Sequence, residues 1–228
     1  MGAPPPLILR RAPFATGAGA LRWGVPRARS ALPLAIAVAL LTSARARADE
    51  TYGLSIAIAE EERAAVQSEA WLNEQIANAE RLFGPIGVHV RWTLVKPLAQ
   101  PHARLETRKD RDVLADQLEP GAINVFVVAQ LRDVDDPSLY RMGVCWRRGD
   151  GKPYVIVAAT ARPTVLAHEL GHFFGNPHST VPNNIMSYVR TDGDVFFDEA
   201  QMKTIRFFSK KHVADKWIVP LGPPKFLP

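Results

Sequence analysis

Apolar positions along this chain follow two periods, and each period predicts an element. Residues 52–59, Tyr-Gly-Leu-Ser-Ile-Ala-Ile-Ala, place apolar side chains at alternating and then mixed positions, the pattern of a strand entering a core. From 60 to 83 the period lengthens. Ala65, Val66, Trp71, Leu72, Ile76, Ala79 and Phe83 make one stripe at helical spacing, which predicts a long core-facing helix stopped by Gly84-Pro85. Residues 87–95 alternate as a second strand, on which His89 reads as an ordinary sheet residue. A polar crossover at 97–120 holds a short helix over 110–118, and its Arg104, Arg108, Lys109 and Arg111 read as a solvated face. Residues 122–131 are almost continuously apolar, as in a central strand covered on both faces. Residues 141–148 and 152–159 form a strand pair around Gly149-Asp150-Gly151. A helix over 164–174, with Pro163 or Thr164 at its start, and another over 198–211, opened by acids and closed by Lys210 and Lys211, complete the pattern. His212 follows it without a partner motif and reads as a surface residue. The predicted fold is mixed α/β, with a twisted sheet of about five strands, a long backing helix and a smaller C-terminal part.

Composition changes this picture mainly at the N-terminus. The 228 residues carry a net charge of +5, but seven of the 28 lysines and arginines, and none of the 23 acids, lie in residues 1–48. The remainder is close to neutral, which removes the case for nucleic-acid binding. The first segment looks like an export signal: arginines precede an apolar run over 31–41, and Ala44-Arg45-Ala46-Arg47-Ala48 offers cleavage after Ala48, or else Ala46. The run is short of the roughly 20 residues a membrane span needs. The expected organisation is an export segment over 1–48 and one domain over 49–228, secreted or periplasmic and monomeric, without a stable membrane span. Cys145 is the only cysteine, so no disulfide staples the fold, and a buried thiol is expected. Asp133, Asp135 and Asp136, and the turn at 191–194, offer carboxylates that Ca²⁺ could use, but at no standard calcium-loop spacing; solvent exposure is the expectation for the first group.

Candidate chemistry concentrates in residues 168–178, His-Glu-Leu-Gly-His-Phe-Phe-Gly-Asn-Pro-His. His168 and His172 lie four apart, so a helix stacks both imidazoles on one face. Gly175 stands where a left-handed residue can end the helix and turn the chain, so that His178 reaches the same ion. Three imidazoles suit Zn²⁺ and leave a fourth position for water, whose pKa the metal lowers to about 7. Glu169, rotated off the ligand face, is placed to act as general base and then as proton donor to a leaving amine.

With Asn184-Ile185-Met186-Ser187-Tyr188 close downstream, this motif resembles the metzincin metallopeptidases, in which the extended zinc motif is followed by a Met-turn. The short connection from His178 to Met186 is most similar to matrixins, whereas Met-Ser-Tyr is similar to serralysins and astacins. The resemblance implies a zinc-dependent endopeptidase acting on a protein or peptide. It makes Met186 an apolar floor under the ligands and Gly143, Val144, Cys145 and Trp146 an edge strand that pairs with extended substrate. It makes Tyr188 a fifth ligand or a hydrogen-bond donor to the transition state; a tyrosine packed beside the turn is the other reading. The matrixin propeptide motif is absent. A zinc-binding module without turnover, or a hydrolase of a non-peptide amide, remains the alternative.

Overall fold

A computed structural model describes residues 49–98 and 101–222 of the chain. The expected export segment and the proline-rich end beyond residue 222 lie outside the described residues. Strand β1 (Glu50–Ile58) is followed by a tight hairpin, β2 (Glu60–Glu61) and β3 (Ala64–Ala65), then helix α1 (Glu69–Phe83) and strand β4 (Val88–Pro97). The pattern predicts a helix from residue 60, and here the structure differs. Glu62 and Arg63 both adopt positive φ, 52° and 66°, which reverses the chain in a two-residue turn. The helix begins only after Ser68, whose side chain accepts the Trp71 backbone N–H at 3.2 Å. Ala65 and Val66 therefore leave the predicted stripe; Leu72, Gln75, Ala79, Leu82 and Phe83 are the positions α1 buries.

Beyond β4 come β5 (Arg104–Leu105), the short helix α2 (Arg108–Asp112) running into a 3₁₀ turn (Val113–Gln117), β6 (Ile123–Val128) and β7 (Gln130–Leu131). The single strand predicted over 122–131 is split at Ala129. The Ala129 N–H turns to the Ala103 carbonyl, and β7 pairs with β5 instead of continuing in the main sheet. One more expectation fails here: Arg111 lies 3 % exposed, not on a solvated face.

Next follow β8 (Gly143–Trp146), β9 (Tyr154–Ala158), α3 (Val165–Phe173), α4 (Glu199–Ala214) and β10 (Pro220–Leu221). The six-stranded sheet runs β10-β1-β6-β9-β8, with β4 also paired to β1. β4, β1, β6 and β9 are mutually parallel, while β8 is antiparallel to β9 and forms the sheet edge beside α3. The fold is mixed α/β, as predicted, with one strand more than expected.

Both faces of the sheet are covered, and the two-residue period decides which side chain goes where. Leu54, Ile56, Val125, Val127, Val155 and Val157 meet α1, α3 and α4 in the larger core. Phe126, Val128, Tyr154, Ile156 and Ala158 point to the other side, where Leu105, Leu114 and Leu131 cover them. Phe83 anchors the larger core, its ring 5.0 Å from Phe197 and 5.8 Å from Phe174. One polar group crosses this layer with a purpose. Gln75, 1 % exposed, donates to the Arg162 carbonyl at 2.9 Å and accepts the Leu166 N–H at 3.1 Å. The long helix thereby supplies the cap of α3, because Thr164 makes no side-chain cap bond.

His212 overturns its reading as a surface residue. It is 2 % exposed, its Nε2–H donates to the Phe173 carbonyl at 2.9 Å, and its ring lies against Phe173, Phe208 and Trp217. Its Nδ1 is buried with no partner among the described residues, so protonation would add an unsatisfied donor. Burial is the main cause holding the His212 pKa down; the bond to Phe173 and the charge of Asp215 oppose it, and Arg147 and Lys211 add to it. A depressed folded-state value means that this contribution to stability is complete above the unfolded value of about 6.5 and fades as pH falls below it. With metal chelated, the thermal midpoint should drop between pH 7 and pH 5, and His212→Phe should flatten that slope. An unchanged slope in the variant would show that His212 does not carry the effect.

Candidate metal centre

Helix α3 carries the first two candidate ligands and fixes the third through its end. The chain leaves α3 in a paired motif: the Gly175 N–H bonds the His172 carbonyl at 2.9 Å and the Asn176 N–H the Gly171 carbonyl at 3.0 Å. Gly175 adopts φ +83°, and a Cβ there would collide with the Phe208 ring, so both conformation and space require glycine. The turn brings His178 back. One ring nitrogen each from His168, His172 and His178 lie within 4.8 Å of one another, the Nε2 atoms of His172 and His178 being 3.0 Å apart.

Two of the imidazoles are oriented from behind. His168 Nδ1 donates to the Ile185 carbonyl at 2.6 Å and His172 Nδ1 to the Asn176 carbonyl at 2.7 Å. These bonds place the proton on Nδ1 and leave the Nε2 lone pairs facing the shared point, as metal-bound histidines are ordinarily held. Two nitrogens at tetrahedral zinc are separated by about 3.3 Å if each bond is about 2.05 Å, a value near the 3.0 Å between His172 and His178. Burial also lowers the imidazole pKa values, that of His172 to about 4; neighbouring imidazoles add to the shift of His168 and His172, and the Arg141 charge to that of His178. All three are therefore neutral at pH 7 and able to donate lone pairs.

Glu169 lies on the same helix but turns to β8. It is 5 % exposed, and burial pushes its pKa up to about 8 against the opposing pull of the Cys145 backbone N–H and the Arg141 charge. A divalent cation at the three imidazoles would draw that value back down. Gly143 lets the strand approach this closely: a Cβ on it would stand 2.8 Å from the Glu169 Oε1 and 2.7 Å from Val165.

Met186 is fully buried and packs against α3 at Gly171. A side chain at Gly171 would strike its thioether, so that glycine lets the methionine approach the helix. The segment around Met186 is fastened by groups that the sequence reading did not single out. Asn184 exchanges bonds with Gln201, 2.8 and 3.0 Å, and Gln201 completes the capping box of α4 with Asp198. Arg190 donates to the carbonyls of Asn184, Ser187, Val189 and Ile185, the last of which also receives His168 Nδ1. The Asp-x-x-Gln spacing was a readable signal for part of this; nothing local to Arg190 foretells four carbonyls.

Tyr188 stands over the site, 68 % exposed, with its hydroxyl 2.8 Å from His178 Nε2. It also touches Arg141, whose guanidinium is held by Asp133 at 2.6 Å. Asp133 is 4 % exposed and accepts the Asp135 N–H at 2.9 Å, so solvent exposure is wrong for this carboxylate. Cys145 is half-buried on the site side of β8, and burial raises its thiol pKa, which keeps it protonated at neutral pH. Gly143, Val144, Cys145 and Trp146 border, with Glu169, His172, His178 and Tyr188, an open cleft of about 420 Å³. No described helix is long and apolar enough to cross a membrane.

No protein-family model matches the chain, and neither does any curated protein. Solved structures do match in fold. Metalloproteinase-II from Bacteroides fragilis aligns with a TM-score of 0.51 at 12 % identity over 70 % of this chain, which spans 53 % of that protein. Mature mirolysin from Tannerella forsythia, solved with a cleaved peptide, aligns with a TM-score of 0.51 at 10 % identity over 75 % of this chain and 98 % of that one. At such identities the likeness establishes the shared fold.

Proposed function

We propose that this protein is an exported, zinc-dependent metalloendopeptidase of the metzincin type, secreted or periplasmic and active as a monomer. The observation that carries the reading is the convergence of His168, His172 and His178, two of them backed by carbonyls, next to a buried carboxylate that is no ligand. The fold supports it, since one neighbour is described as a metalloproteinase and another was solved with a cleaved peptide.

When bound, zinc polarises the scissile carbonyl and makes its water acidic. Glu169 takes the proton of the attacking water and delivers it to the leaving amine. Strand β8 offers its outer edge, Gly143 to Trp146, to an extended substrate, so that backbone bonds hold the chain whatever its sequence. Tyr188, whose hydroxyl meets the His178 nitrogen that zinc would claim, shifts on metal binding and donates to the oxygen that gains charge in the transition state. The turn at Met186 acts as the Met-turn floor. Among metzincins the matrixins are the nearest match in the length of the connection between His178 and Met186. Calcium has no role in this scheme.

A zinc module without turnover would need no base, and structural zinc sites close their fourth position with a fourth residue. Here a recessed carboxylate and an open cleft meet at that side instead. The purified protein is expected to bind one zinc and to cleave casein, with activity lost to a chelator and restored by Zn²⁺. Zinc-loaded protein that is inert on casein and on a broad peptide library would sink the peptidase reading and favour a non-peptide amide.

A further inference from the structure

Most arginines around the Trp146 end of the cleft are matched with carboxylates; among the described residues Arg147 and Arg111 are not, and Arg147 is exposed, its guanidinium 5.1 Å from the Trp217 ring centroid. Arg141 meets Asp133 at 2.6 Å and Arg148 meets Asp116 at 2.8 Å, while Arg108 pairs with Asp135 and Arg132 with Glu106. Arg111 is more deeply buried than any of these, at 3 % exposure, and has no ion pair among the described residues. Its Nη2 donates to the Arg132 carbonyl at 2.6 Å, and its Nε has no acceptor. The guanidinium lies 4.7 Å from the centroid of the Trp146 ring, which Asp112 holds through the indole N–H at 2.8 Å. Asp133 and Asp135 act on the Arg111 guanidinium only from a distance and are already paired with Arg141 and Arg108, and a buried cation without a partner of its own is costly. Arg111 borders the cleft, so an anion entering there can supply the missing pair.

We propose that Arg111, with the Trp146 ring, forms the floor of a subsite that takes one carboxylate of the bound substrate. The proposal rests on the peptidase reading and adds a chemical class to it. Alternation along β8 places Val144 and Trp146 on the second core's side of the sheet and Cys145 on the side of α3 and Glu169. The subsite is therefore on the opposite side of the strand from the base. Trp146 stands three residues beyond Gly143, which abuts Glu169, so the two are separated by roughly 10 Å along the strand at about 3.3 Å per residue. A substrate antiparallel to β8 would bring to Arg111 an acidic side chain on the N-terminal side of the scissile bond. A parallel one would bring its C-terminal side, where a terminal carboxylate serves equally well. The planar fork of a guanidinium suits either.

The test uses the full, zinc-loaded protein and two peptide series around one cleaved bond. In the first, a single Glu is walked through each position against Gln; in the second, a free C-terminus is compared with an amide. Rates of cleavage and binding by fluorescence anisotropy are both read. The expected result is a preference of about tenfold or more for Glu at one position, or for the free terminus, with the responding series identifying the source. Arg111→Met should erase that preference yet unfold at the same temperature or higher, since it removes an unpaired buried charge; Arg111→Lys should keep part of it. Equal rates and equal binding for Glu and Gln, and for acid and amide, would overturn the inference and leave the peptidase reading intact. So would an Arg111→Met protein that melts lower and loses Glu and Gln peptides alike, because that is the signature of a structural role. If nothing is cleaved, the peptidase reading fails, and the anisotropy comparison still decides whether Arg111 selects a carboxylate.

Discussion

Glu169→Ala is expected to lower peptide cleavage by roughly 10²–10⁴-fold, the usual contribution of a positioned general base, while zinc content stays at the wild-type level. The separation follows from geometry. Glu169 shares α3 with His168 and His172 but turns to β8, where Cys145 N–H holds it and Gly143 leaves it room. It is recessed at 5 % exposure, so its carboxylate meets water only from the cleft. Glu169→Gln, which keeps the shape, should be as inactive as the alanine variant. Metal analysis beside initial rates checks both statements. A variant that has lost zinc along with activity would make Glu169 part of the metal's support, and one that keeps its activity would remove it from the chemistry.

His172→Ala should have the second large effect, weakening zinc binding beyond the roughly 10–100-fold that loss of an outer-shell partner costs. His172 is the central member of the cluster, with ring centroids 4.8 Å from His168 and 4.5 Å from His178. Its own support is the Asn176 carbonyl at 2.7 Å, which belongs to the turn that also returns His178. The substitution therefore removes a donor and loosens the approach of another. Competition against a chromophoric chelator would measure the loss. Zinc affinity unchanged in His172→Ala would disqualify this histidine as a ligand.

Much of this site was legible because its information is local. The four-residue interval between His168 and His172 is one helical turn, and Gly175 marks where that turn must end; both follow from backbone geometry without a partner elsewhere. The almost continuous apolar run around residues 123–128 likewise specified a strand covered on both faces. The failures were of a different kind. Glu62 and Arg63 are not residues that advertise a left-handed turn, so the stripe begun at Ala65 concealed a hairpin. His212 and Arg111 look like surface residues by type; what buries them is contact with Phe173 and Trp146, remote in sequence. Gln75 capping α3, and Arg190 gathering four carbonyls, are likewise products of packing. Long-range satisfaction of polar groups leaves no periodicity to read.

Helix α4 contributes no metal ligand and no base, yet each of its ends is tied to a different part of the site. Gln201, in its first turn, holds Asn184 next to Met186, and His212, in its last, holds the Phe173 carbonyl at the end of α3. It works as a crossbar between two pieces that the motif alone treats as separate. A fragment ending soon after Tyr188 would contain every candidate ligand, the base and the methionine, and would satisfy any search by signature. It would nonetheless lack the member that ties α3 to the segment around Met186, so possession of the signature is a poor guide to where this chain can be cut.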